Sequence, residues 1–169
     1  MQKVLTIDVA GKQQLVDVGV STSTGSSDAG KAVVTKTDGT IDETFLPAGI
    51  GADVQLIVAS EDLTAGNLVN IWVDSGVFKV RKADASAYAT KADGFVKTSA
   101  LATESVKVYP KGINTGVTGV TGTDIFLSET AGAFTLTPPT TSGSIVQRVG
   151  TGLSSTSFNV EISPAVELA

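Results

Sequence analysis

The chain has 169 residues, of which 41% are hydrophobic, 5% aromatic and 17% charged, with a formal net charge of −5. That length suits one domain plus an arm, and that hydrophobic content excludes an acidic disordered tail. With 17 acidic residues against 12 basic ones, and no basic run longer than Lys79 to Lys82, general binding to a phosphate backbone is not expected. There is neither cysteine nor histidine, which removes disulfides, the usual zinc sites, Ser–His and Cys–His pairs and the commonest general base.

Met1 to Asp8 does not read as a signal peptide, because Thr6 and Asp8 interrupt a short apolar run. No stretch approaches the ~20 apolar residues of a membrane span, so the chain is expected to be made in a cytoplasm without membrane contact. Strand alternation begins with Leu5, Ile7 and Val9 and resumes from Gln14 to Val20, with Val16, Val18 and Val20 on one face. Residues 21–31 are small and polar and read as a loop or linker. Ala32 to Lys36 follows as a short strand, with a turn at Asp38-Gly39. Ile41 to Pro47 ends at proline, and Ala48-Gly49-Ile50-Gly51 forms a flexible joint. A boundary falls here, with an N-terminal arm over 1–52 and a β domain over 53–169.

In the second part Val54, Leu56 and Val58 alternate with Gln55 and Ile57. Leu68 to Val73 and Val77 to Arg81 read as a hairpin joined by Asp74-Ser75-Gly76, with Gly76 left-handed. Val69, Ile71 and Val73 share one face and Trp72 takes the other; Phe78 and Val80 alternate with Lys79 and Arg81. Asp84 to Lys91 reads equally as a helix or a loop. Further strands are expected at 94–97, 105–109, 124–127, 134–137, 144–149 and 158–162, punctuated by Ala131-Gly132, Pro138-Pro139 and Ser142-Gly143. Many short strands at this spacing predict an all-β fold, an antiparallel β-sandwich or small β-barrel with an extended N-terminal arm.

Four segments carry apparent chemistry. Gly25-Ser-Ser-Asp-Ala-Gly30-Lys31 matches the phosphate-binding G-x-x-x-x-G-K pattern, but Ala32 stands where Ser or Thr should hold magnesium and a strand follows where a helix is needed. It reads as coincidence, and no nucleotide or other cofactor is expected. Asp38, Asp42 and Glu43 hint at calcium but lack the alternate spacing of a binding loop and read as a solvated turn. Glu61-Asp62 are adjacent rather than facing each other across a substrate, so no catalytic pair emerges. Gly116-Val-Thr-Gly119-Val-Thr-Gly122 reads as a flexible loop. Trp72, the only tryptophan, faces away from the expected core and reads equally as a subunit-interface residue or as part of a second buried layer of the same subunit.

From residue 25 onward the order of motifs resembles a known family. Ala29-Gly30-Lys31, Asp38-Gly39-Thr40-Ile41-Asp42 and Leu46-Pro47-Ala48-Gly49-Ile50-Gly51-Ala52-Asp53 occur in succession. Ala59 to Ile71, Val80 to Ser86, Ala92 to Val96 and Val146 to Gly150 follow. This order is similar to capsid decoration (cement) proteins and head fibres of tailed bacteriophages, over residues 25–162. The resemblance implies a non-enzymatic virion protein, usually a homotrimer, docked on the outer surface of the capsid. Its partners are then the major capsid protein and itself, with no nucleic acid, membrane or small-molecule substrate. Apolar anchors are expected at Leu46, Pro47 and Ile50 of the arm, and subunit contacts near Trp72 and Phe78. Asp-Gly-x-Ile-Asp with Leu-Pro also occurs in tail fibres, so a fibre or adhesin component binding the host surface is the alternative reading.

Overall fold

The computed structural model describes residues 3–7, 10–17, 19–42, 45 and 54–169, the side chains of 3–7 and 14–17 excepted. The chain divides into two compact units, Met1–Gly51 and Ala52–Ala169. The structure is all-β, and its described residues contain no α-helix.

In the first unit β1 (Lys3–Ile7) and β2 (Gln13–Asp17) form an antiparallel hairpin, from Lys3↔Asp17 to Ile7↔Gln13. β3 (Gly19–Val20) and β4 (Ala32–Val33) pair in parallel. The expected strand from Ala32 to Lys36 is therefore only two residues long, and Val9 and Val18 lie outside the described residues. The segment between β3 and β4 is locally ordered by a 3₁₀ turn at Ser26–Asp28.

The second unit carries β5 (Gln55–Ala59), β6 (Leu68–Asp74), β7 (Val77–Lys82), β8 (Gly94–Val96) and β9 (Ser105–Tyr109), which close into a barrel in the order β5-β7-β6-β8-β9. Five more strands, β10 (Lys111–Asn114), β11 (Asp124–Leu127), β12 (Phe134–Thr135), β14 (Arg148–Ser154) and β15 (Ser157–Glu161), form an open sheet in the order β10-β15-β14-β11-β12. β13 (Ile145–Val146) pairs with β16 (Val166–Glu167) near the C-terminus.

A five-stranded barrel is too narrow for large side chains, and the interior here is mostly β-branched: Ile57, Val69, Val80, Val96, Val106 and Val108. The inward parity of β5 is Ile57 and Ala59, whereas Leu56 is 68% exposed, because the register sets Ile57 against Val106 and Ala59 against Val80. Leu68 and Phe95 leave the barrel wall on the other side and join Ile125, Leu127, Val149, Phe158 and Val160 of the open sheet in a second core. Asp84 to Lys91 is a loop with a 3₁₀ turn at Tyr88–Thr90. Gly116 to Gly122 is not the flexible loop its composition suggests: Val117 and Val120 are buried in this second core, and the Gly119 N–H donates to Ser155 O at 2.7 Å.

One buried side chain ties the barrel to the open sheet. Gln147 accepts from the Ala92 N–H at 2.8 Å and donates through Nε2 to Ala92 O and Ser163 O, each at 3.0 Å. Replacing it by Leu leaves these backbone groups buried and unpaired, at a cost of roughly 1–3 kcal/mol each. We expect Gln147→Leu to lower the stability of the second unit by about 3 kcal/mol, read as a shift in denaturant midpoint. A midpoint within experimental error of the parent would show that the amide bonds do not hold the two sheets together.

Candidate interaction surface

The end of the β6–β7 hairpin carries three exposed large apolar residues. The ladder runs Ile71↔Val80, Trp72↔Lys79, Val73↔Phe78 and Asp74↔Val77, so the loop is the two residues Ser75-Gly76. The expected three-residue connection is one residue too long. Ser75 joins Gly76 in the left-handed region, at φ 52° and 83°, as a tight primed turn requires. The twist of such a turn matches that of the flanking strands and lets the pair run on beyond the barrel.

Parity then decides what the tip presents. Val73 and Phe78 share the face of Ile71 and Val80, which line the barrel, yet they lie past its rim and are 54% and 67% exposed. Val77, on the opposite face, is 57% exposed. Val73 and Phe78 thus lie exposed on one face of the hairpin end and Val77 on the other. Lys79 Nζ reaches Asp74 at 2.6 Å across the hairpin, and this hydrogen bond holds the Asp74 carboxyl below its ordinary range.

The two candidate interface residues of this hairpin behave differently. Phe78 is open to solvent. Trp72 points away from the barrel interior but is half-buried by its own chain: the Arg81 guanidinium lies 4.9 Å from the ring centre, and indole Nε1–H donates to Ser60 Oγ at 3.4 Å. Arg81 is itself fixed by donating to Asn70 Oδ1 and Ala89 O, each at 2.9 Å. Leu46, Pro47 and Ile50 lie outside the described residues. Val73 and Val77 complete the patch and were not singled out from the sequence. Their alternation looks like that of any core-facing strand, and only the length of β6 and β7 beyond the rim reveals them.

The other segments of apparent chemistry have local structural work. Glu61 Oε1 accepts from the Lys82 N–H at 2.9 Å and Asp62 Oδ1 from the Ala102 N–H at 2.8 Å. A shallow cleft of about 350 Å³ beside Asp62 also contains Glu104, whose Oε2 accepts from the Leu101 N–H at 2.8 Å. Asp38 caps the Thr40 N–H, and Asp42 pairs with Lys36 at 2.6 Å. Among the described residues no group of three or more Asp and Glu is placed to hold a metal ion.

In the G-x-x-x-x-G-K segment, Lys31 Nζ donates to Asp28 Oδ1 at 2.8 Å, and the Thr24 N–H and Oγ1–H donate to Asp28 Oδ2 at 2.6 and 2.8 Å. The lysine that would reach a phosphate is thereby drawn to a carboxylate, and strand β4 follows it. These bonds, led by that from Lys31, pull the Asp28 pKa down from 3.8 to about 2. Because the folded pKa is depressed, the stabilisation is complete above the unfolded value and is lost as pH falls through about 2. A carboxyl titration by NMR is expected to place Asp28 near 2, and Mg-ATP is expected to leave the melting temperature within about one degree. A midpoint at the ordinary value of 3.8 would remove this turn.

No protein-family model matches the chain, and no curated protein is significantly similar to it.

Proposed function

We propose that the chain is a structural protein of a tailed-bacteriophage particle, a decoration or cement subunit that binds the outer face of the assembled capsid. The observation that carries this reading is the exposed apolar hairpin end, Val73, Val77 and Phe78, on an all-β body in which Glu61, Asp62 and Glu104 accept from backbone N–H groups. Such a body offers a contact surface rather than a reaction centre. The motif order from Ala29 to Gly150 gives the reading its direction toward phage particles.

The mechanism is binding energy alone. A subunit that touches two neighbouring capsid proteins binds only the assembled shell and stabilises it by mass action. Several weak contacts on one oligomer add through effective concentration where the geometry lets them engage together. The N-terminal unit, with Leu46, Pro47 and Ile50, supplies contacts to the major capsid protein, and the second unit supplies contacts between copies.

The test is the amount of this protein in purified virions, measured against the major capsid protein on one stained gel. A ratio of the same order is expected, since a decoration protein covers the shell. A ratio far below that belongs to a vertex or tail fibre and overturns the reading. Within the full chain, Leu46→Asp with Ile50→Asp is expected to weaken binding to shells at least about tenfold, or ~1.4 kcal/mol. Unchanged cosedimentation with shells removes these residues from the contact.

A further inference from the structure

The barrel and the open sheet follow one strand arrangement, repeated as two copies along the chain. Read from its first strand, the barrel runs β5-β9-β8-β6-β7 and the open sheet runs β10-β15-β14-β11-β12, so each strand has a counterpart in the same place. Gly66 and Gly122 are 56 residues apart, as are Gly94 and Gly150. The bonds repeat at the same spacing. The Gly66 N–H donates to Val96 O at 2.8 Å and the Gly122 N–H to Gly152 O at 3.1 Å. The Val96 N–H donates to Asn67 O at 3.1 Å and the Gly152 N–H to Thr123 O at 2.8 Å. A Cβ on Gly94 would stand 2.7 Å from Tyr109 O and one on Gly150 2.0 Å from Asn159 O, so the same crowding excludes a side chain in both copies.

The copies meet through a hairpin turn. At the end of the β11–β12 hairpin, Gly132 enters the base of the β6–β7 hairpin, where the Leu68 N–H donates to Gly132 O at 3.0 Å and the Gly132 N–H donates to Ala83 O at 2.7 Å. Asn67 closes over it, and a Cβ on Gly132 would lie 2.9 Å from Asn67 Nδ2. The turn of the second copy is therefore seated in the base of the first.

Among the described residues the turn of the first copy has no such seat. Ser75 and Gly76 are exposed, and a Cβ on Gly76 would meet nothing within 4 Å. Its hairpin is also longer: eight residues separate Ile71 from its partner Val80, against six between Leu127 and Phe134. The base of the second copy, at Thr123, Asp124 and Thr137, is exposed in turn. One molecule thus carries an exposed turn with an apolar end and an exposed base, where Asp124 Oδ1 accepts from Arg148 Nε at 2.7 Å and Thr137 O accepts from Thr135 Oγ1 at 3.0 Å.

We propose that a second copy of this chain completes the series, with the Ser75-Gly76 turn of one molecule seated at Asp124 and Thr137 of the next. The contact is head to tail, so it closes into a ring or continues as a chain according to its rotation. Val73, Val77 and Phe78 are buried in it, as the apolar centre of an interface is. The inference rests on the proposed contact between copies of the second unit and specifies it, and its own test requires no capsid.

The absence of cysteine makes a direct test clean. Full-length Ser75→Cys and Thr137→Cys chains are purified separately, mixed and gently oxidised. A mixed disulfide dimer is expected only from the mixture, and the parent chain is expected to sediment as an oligomer. Self-crosslinking of either variant alone would show a two-fold contact and overturn the proposal, as would absence of crosslinks with a monomeric parent. Phe78→Asp, at an exposed position, is expected to raise the dissociation constant at least about tenfold with the circular-dichroism spectrum unchanged. An oligomer unmoved by it also overturns the proposal. Loss of self-association with shell binding retained, or the reverse, separates this contact from the capsid-binding reading.

Discussion

Two short strands carry both cores of the second unit. In β6, Leu68 and Val69 are both fully buried, and so are Phe95 and Val96 in β8. Adjacent residues of a strand point to opposite faces, so each strand must fill the barrel with one side chain and the layer above it with the next. Neither face can be solvated, and a one-residue slip would exchange Val for Leu or Phe inside a barrel too narrow for them. The register of the whole unit follows from this two-sided burial. Polar groups at the same level confirm the setting: buried Asn70 donates to Lys91 O and Asp93 Oδ2, and Arg81 donates back to Asn70. A shifted strand would leave those groups buried without partners, which costs more than the bonds themselves contribute.

This rigidity lowers the entropic cost of any contact made at the exposed hairpin end. Binding is opposed by the entropy of ordering whatever enters the interface. Here the primed turn fixes the loop, the Asp74–Lys79 pair braces the ladder, and the inner ends of β6 and β7 are clamped in the barrel wall. Val73 and Phe78 stand directly opposite each other, close enough to act as one apolar unit. Little freedom remains to be lost there. Trp72, stacked under Arg81, supports the hairpin from its other face.

Most strands were legible from two-residue alternation, and the all-β class followed from their number and spacing. What alternation does not reveal is closure. The parallel pairing of β5 with β7 links segments whose sequences carry no signal of each other, and it alone makes the first sheet a barrel. Burial in the Gly116 to Gly122 segment was hidden for a related reason: Val117 and Val120 are isolated among glycine and threonine, so no periodic face announces them. The apolar hairpin end was half legible. Phe78 and Trp72 stood out by residue type, but strand length relative to the barrel rim, which exposes one and half-covers the other, is a tertiary property. The repeated strand arrangement has a trace in the 56-residue spacing of Gly66 with Gly122 and Gly94 with Gly150. Few other identities accompany it, because packing constrains volume and parity more than identity.

The two copies differ where a sheet must choose between closing and opening. β7 runs from Val77 to Lys82 and reaches β5, whereas its counterpart β12 stops after Phe134 and Thr135. Pro138 and Pro139 follow, and proline has no N–H to continue a ladder. The second sheet is therefore left open between β12 and β10. Its core is completed by Leu68 and Phe95 from the barrel wall, and the C-terminal strand β16 ties down the neighbouring β13. Closure in the first copy and openness in the second are thus one solution: the closed copy supplies an apolar outer wall, and the open copy needs it. The same asymmetry shortens the second hairpin so that its turn ends at Gly132 against the barrel, and leaves the first hairpin long and apolar at its exposed end.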